Sequence, residues 1–340
     1  MVGVHRTSNR SEGAGQLMIV TVLIALAAGC ASALMFASIV SGVLISLVLF
    51  YLAPLPLMVA ALGWGPLCAT IGGIAAACAV GAIFGLPYCI AFAVMVGLPA
   101  WWLGHLALLG RPVDHSGSRD SASTAAPDIE WYPVGRILLW ISGFAVLTTM
   151  VALLSLGTDA ETITGTLRGG LLRVFGRRDP AIGGDIKPWV DAFVTIAPAA
   201  AAIFAVTTLT LNLWLAAKVT AISGRLHRPW PNLKSAALPP MTLAALCVAI
   251  ALCFTGGLAA ILAVIASASL MMGYALIGFA VLHTLTLAFK SRALWLSCTY
   301  VIVVVFTWPV IVMMSLGIAD AVFGFRRRYL RSRPPPLPAS

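Results

Sequence analysis

The chain has 340 residues, of which 61% are hydrophobic and only 9% carry a charge. A soluble domain carries about 25% charged residues, so this composition excludes a water-soluble globule. The net charge of +10 does not point to nucleic acid, because the 21 Lys and Arg lie between and beyond long apolar runs. There basic residues set membrane topology and meet anionic lipid headgroups.

Residues 1–16 read as a polar N-terminal arm with Arg6 and Arg10. Residues 17–109 follow without one Asp, Glu, Lys or Arg, and His105 is the only imidazole among them. A bilayer core takes roughly 20 apolar residues per helix, so this run is long enough for about four crossings. Leu26-Ala27-Ala28-Gly29-Cys30 has the outline of a lipoprotein cleavage site, but the apolar run continues far past Cys30. An uncleaved first helix is expected over about 17–39. A second runs over about 43–62 and contains Pro54 and Pro56, which kink it. Gly63-Trp64-Gly65-Pro66 is a tight connection to a third helix, about 66–85. A fourth, about 87–109, holds Pro99 and ends near Trp101-Trp102, a pair suited to the headgroup interface.

Residues 110–133 form a polar loop with the composition of a linker. A fifth helix is expected over 134–156. Thr158-Asp159-Ala160-Glu161 then has capping-box spacing, and Ile163, Leu167, Leu171 and Val174 recur at helical intervals. Residues 158–175 read as a helix lying on the membrane surface, or as an irregular loop given Gly165, Gly169 and Gly170. A sixth spanning helix covers about 191–217, and a basic loop covers 218–238. A seventh begins near Pro240 and ends at Gly256-Gly257. The apolar run 258–289 suits one tilted helix, and the last helix is placed at about 294–318. Residues 319–340 are a basic, proline-rich tail. The expected fold is all-α, a polytopic transmembrane bundle of about 8–10 crossings spanning 17–318. The positive-inside rule favours a cytoplasmic tail, because an odd number of crossings over 239–289 gathers 14 basic residues on one side against 7 on the other.

Polar groups at membrane depth are costly and therefore candidates for function. Thr208 and Asn212 share one helix face and either line a substrate cavity or fix packing through an interhelical hydrogen bond. His283, in the late apolar run, is a third candidate for substrate binding, and His105 is a weaker one. Gly81 and Gly85 form a GxxxG pattern that would let two helices approach closely. The seven Cys all fall in apolar runs without ligand spacing. No metal ligands, cofactor site, phosphate loop or catalytic acid–base set is assigned, so an enzyme is not expected.

The end of the last helix reads Gly317-Ile318-Ala319-Asp320, then Phe325 and Arg326. This resembles the closing motif of the YybS-like family of polytopic bacterial membrane proteins, in which a Gly precedes an Asp by three residues and a Phe-Arg pair follows. Gly324 stands where that family often has a second acidic residue. Pro54-Leu55-Pro56 with Gly63-Trp64-Gly65, and Gly278 in the late long helix, are similar to further family positions. The family is distantly similar to the substrate-binding membrane subunits of energy-coupling-factor transporters. The resemblance implies a bacterial inner-membrane protein that binds a small molecule, with membrane lipids around it and a separate energising ATPase. Gly317, Asp320, Phe325 and Arg326 are its candidate structural residues. Asp320 is either a solvated carboxylate ending the helix, or the partner of an arginine from the tail or a cytoplasmic loop. A non-transporting scaffold for envelope assembly is the alternative, and a membrane-embedded lipid enzyme is a third reading.

Overall fold

The structure is a computed structural model that describes residues 4–112, 129–176, 186–231, 236–288, 290–306, 308–326 and 328. Thirteen α-helices are assigned among them, and seven segments are long and apolar enough to cross a membrane. These are Met18–Ser41, Leu44–Trp64, Pro66–Phe84, Leu86–Leu108, Val134–Leu154, Lys187–Ile222 and Gly257–Leu285. Three shorter apolar helices, Met241–Leu252, Arg292–Phe306 and Pro309–Phe323, complete an all-α membrane bundle. The chain forms two compact units, residues 1–132 with 208–230, and 133–207 with 231–340.

In the first unit, α1 (Val4–Ala37) is followed by α2 (Leu44–Leu52) and α3 (Pro54–Trp64). The first helix, expected over about 17–39, begins at Val4 and takes in most of the polar arm, since a helix nucleated by the apolar run extends at little cost. The break between α2 and α3 follows from Pro54 and Pro56. Neither has an N–H, so Phe50 and Leu52 lose their usual helical donors. Phe50 accepts instead from the Ala53 N–H at 3.2 Å. Gly65, at φ 95°, stops α3 and Pro66 starts α4 (Pro66–Phe84). Next come α5 (Leu86–Phe92), a π turn at Ala93–Gly97 and α6 (Leu98–Leu108). Pro99 cannot donate to Met95, and the wide turn accommodates that missing bond.

Small residues set the packing of this unit. Gly29 of α1 meets Gly72 of α4, which also abuts the Ala25 carbonyl. Gly104 of α6 meets the Ala61 side chain of α3. Leu57, Met58, Leu62, Phe92 and Leu103 fill the space between and are fully buried. The ends of the 110–133 loop are not irregular as expected. Strands β1 (Gly110–Pro112) and β2 (Ile129–Trp131) pair antiparallel, with Arg111 opposite Glu130 and ion-paired to it. The second half of α9 (Lys187–Ile222) completes the unit.

The second unit holds α7 (Val134–Leu154), α8 (Ala160–Gly176), the first half of α9, α10 (Met241–Leu252) and α11 (Gly257–Leu285). It ends in α12 (Arg292–Phe306) and α13 (Pro309–Phe323). The expected surface segment is a helix, but one flank of it is packed. Ile163 is fully buried with Leu153, Ala202 and Ile265. Its cap is Asp159 rather than Thr158. One Asp159 oxygen accepts the Thr162 N–H at 2.8 Å and the other its hydroxyl at 2.7 Å. These bonds hold the exposed Asp159 carboxyl below the usual carboxylate range. The single last helix expected over 294–318 is two helices. Pro309 opens the second, as suits a residue without an N–H at a first helical turn.

Candidate functional site

Asn212 is buried in the first unit, and its amide lies beside the break between α2 and α3. Its Nδ2 donates to the Tyr51 carbonyl and to the Thr208 carbonyl, both at 2.8 Å. Two donated bonds to carbonyls fix the amide orientation. Asn212 thus bridges two helices where prolines have weakened one of them. Its Oδ1 is buried and accepts no hydrogen bond from the described residues. A buried acceptor left open costs about 1–3 kcal/mol, so such atoms mark places where water, an ion or a ligand donor belongs. Thr208 lies one turn away on the same helix and supplies its carbonyl to the amide.

His283, the third expected substrate residue, belongs to the second unit. One of its ring nitrogens bonds the Tyr300 hydroxyl at 2.7 Å, and Arg292 reaches its carbonyl at 3.4 Å. Tyr300 also stacks on Phe279, so His283 joins α11 to α12. His105 stands beside Trp101 and Trp102, with ring centroids about 6 Å away in each case.

The two glycines of the GxxxG pattern occupy different environments. A Cβ on Gly81 would press against the Cys89 side chain at 2.8 Å, a contact with the next helix in the chain. Gly85 is no packing position. It ends α4 at φ 97°, and a Cβ there would meet only Pro87 at an ordinary 3.8 Å. The close helix contacts of the second unit lie at Gly278 and Gly317. A Cβ at Gly278 would collide with the Met313 carbonyl, and one at Gly317 with the Tyr274 carbonyl. These contacts pair α11 and α13 antiparallel through Tyr274-x-x-x-Gly278 and Met313-x-x-x-Gly317. The four-residue spacing was readable, but a single glycine per helix gave a weaker signal than the glycine pair at 81 and 85.

Beyond Gly317 the chain forms a closed turn. Asp320 ends α13, where a carboxylate opposes the helix dipole. Gly324, at φ 64°, donates its N–H to the Asp320 carbonyl at 2.8 Å and turns the chain back. The Arg326 N–H then donates to Asp320 Oδ1 at 2.9 Å, and its guanidinium lies 3.0 Å from Oδ2. Both residues are buried. Phe325 is exposed, with its ring beside Phe323. Of the arginines expected to serve Asp320, Arg326 is the partner. Arg327 lies outside the described residues, as do Arg331 and Arg333.

One grouping was not anticipated. At the end of the first unit where α3, α6 and α9 stop, three cations sit over indole rings. Lys218 lies 4.5 Å from the Trp230 ring, Arg225 lies 4.7 Å from Trp64 and Arg228 lies 5.9 Å from Trp131. Arg228 also donates to the Ala107 and Tyr132 carbonyls at 3.1 and 3.0 Å, closing the end of α6. Burial lowers its guanidinium pKa. None of the three has a carboxylate partner among the described residues. The signal in the sequence was Lys and Arg interleaved with Trp at span ends, which is visible but does not say which ring meets which cation.

Seven apolar spans and this interfacial rim define a multi-pass α-helical membrane protein. No family model, curated protein or solved structure matches the chain.

Proposed function

We propose that this chain is a small-solute-binding component of a transport system in the bacterial inner membrane. The observation that supports it is Asn212 Oδ1, an open acceptor buried beside a proline-broken helix. Broken helices at membrane depth are where transporters bind substrate, because freed backbone groups there can contact a ligand. The matching ligand carries a hydrogen-bond donor, an N–H or O–H. The resemblance at Gly317, Asp320, Phe325 and Arg326 supports the same reading, since it leads to a group similar to vitamin-transporter subunits. The sequence carries no phosphate-binding loop, so primary transport would need a separate ATPase.

Native mass spectrometry of protein released from gentle detergent tests this directly. The expected result is a retained small molecule in the parent and none in Asn212→Leu. That variant also loses an interhelical bond worth about 1–2 kcal/mol in model peptides, so folded yield should fall only modestly. Equal retention in parent and variant would remove Asn212 from any site, and a parent with no bound solute under any condition would favour the scaffold reading.

A further inference from the structure

We infer that the first unit carries a specific site for an anionic phospholipid, with the phosphate at Lys218, Arg225 and Arg228 and an acyl chain in a groove beside α4. The groove has a volume of about 230 Å³ and runs between α4 and the π turn with the start of α6. Gly73 and Ala77 of α4, Ala93 and Gly97 of the π turn, and Trp101 line it. Ile74 and Leu98 on its edge are exposed, so it opens on the flank that faces the membrane.

Its chemistry selects the occupant. The groove is lined almost wholly by apolar atoms, and the one hydroxyl in its wall, on Thr70, is bonded to the Pro66 carbonyl at 2.9 Å. It is also smaller than the roughly 300–1,000 Å³ of ordinary small-molecule pockets. An acyl chain needs neither polar contacts nor full enclosure. Small side chains and a widened helical turn leave a channel of the right character.

The groove extends into the middle of α4 and α6, and its end at Thr70 and Trp101 lies toward the cations. Thr70 and Pro66 are in the first turns of α4, which follows directly on Trp64, the ring beneath Arg225. Trp101 stacks on His105, one turn before the Ala107 carbonyl that Arg228 holds. A chain lying in the groove would therefore bring its headgroup toward this cationic rim. Charge supplies the second argument. Cations without carboxylate partners attract anionic lipid, at about 1 kcal/mol per Lys or Arg near the surface. Indole rings beneath them keep each cation at headgroup level. Arg228, tied to two carbonyls, is a fixed point, while Lys218 and Arg225 are exposed and able to close on a phosphate.

The test uses full-length protein in nanodiscs of phosphatidylglycerol or of phosphatidylcholine with identical acyl chains, and native mass spectrometry after release. The parent should retain phosphatidylglycerol about tenfold more than phosphatidylcholine. Lys218→Gln with Arg225→Gln, two exposed changes that leave the Arg228 cap intact, should remove that preference. Gly97→Leu should lower retention of both lipids while sparing the preference. A Cβ at Gly97 meets only the Phe92 carbonyl, at an ordinary 3.9 Å, so the backbone leaves room for a side chain that extends into the groove. Millimolar inorganic phosphate should not displace the lipid. Equal retention of the two lipids by the parent, or an unchanged preference in the double glutamine variant, would overturn the site. Displacement by inorganic phosphate, or full retention in Gly97→Leu, would show a free-anion site without an acyl groove. Asn212→Leu should leave lipid retention untouched, which separates this proposal from the solute site.

Discussion

The Asp320 carboxylate accepts the backbone N–H of Arg326 at 2.9 Å while the Arg326 guanidinium lies 3.0 Å from its other oxygen. One residue thereby supplies both a helix-end bond and a counter-charge. The geometry depends on Gly324, whose positive φ reverses the chain within four residues of Asp320. A side chain at Gly324 would be strained by roughly 1–2 kcal/mol.

Breaking a buried pair by removing one partner costs about 3–5 kcal/mol, because the remaining charge is left uncompensated. Asp320→Ala and Arg326→Ala should each lower the melting temperature of the purified protein clearly. The double variant should cost much less than the sum of the two. A thermal-shift cycle measures this, and strict additivity would mean the pair is not coupled.

Glycine substitutions should sort by what a Cβ would meet. Gly278→Ala and Gly317→Ala force a methyl group into a facing carbonyl and should destabilise by about 1–3 kcal/mol each. Gly169→Ala, on α8 with nothing within 4 Å, should be neutral or stabilise by about 0.5–1 kcal/mol. Comparable losses at all three positions would sink the proposed close approach of α11 and α13.

The cap of α8 predicts a pH dependence. The Asp159 carboxyl has a lowered pKa in the folded chain because Thr162 bonds its charged form. Its contribution is therefore fully present above the usual carboxylate range and is lost as pH falls through the lowered value. Protection of the amides at the start of α8, measured against their intrinsic exchange rate at each pH, should fall in acid below about pH 4, where unfolded Asp titrates. Asp159→Asn keeps an acceptor oxygen for capping but should flatten that acid response.

Orientation follows from the cationic rim. Lys218, Arg225 and Arg228 stop at the same end of the first unit and should face the cytoplasm. A phosphatase fused after Gly224 should be inactive, and a reporter fused there that folds in the cytoplasm should be active. The opposite pair of results would invert the topology.

The membrane class was written in the sequence, since ninety-three residues without a charged side chain, 17–109, can be buried only in lipid. Proline and glycine positions likewise marked most helix ends, because a missing N–H or a positive φ acts locally. The exceptions are also local in origin. The helix runs back to Val4 because nothing stops it, and the last span divides before Pro309. Partner choice was decided only by tertiary structure. Sequence left the partner of Asp320 open among the arginines of the tail and the loops, and the left-handed turn at Gly324 brings Arg326 onto it. Sequence favoured Gly81 with Gly85 as a helix contact, yet backbone carbonyls leave no room for a side chain at Gly29, Gly72, Gly278 and Gly317. Spacing along a helix tells which residues share a face. Which face meets a neighbour depends on the packing of all the helices in the unit, and no local run of residues encodes it.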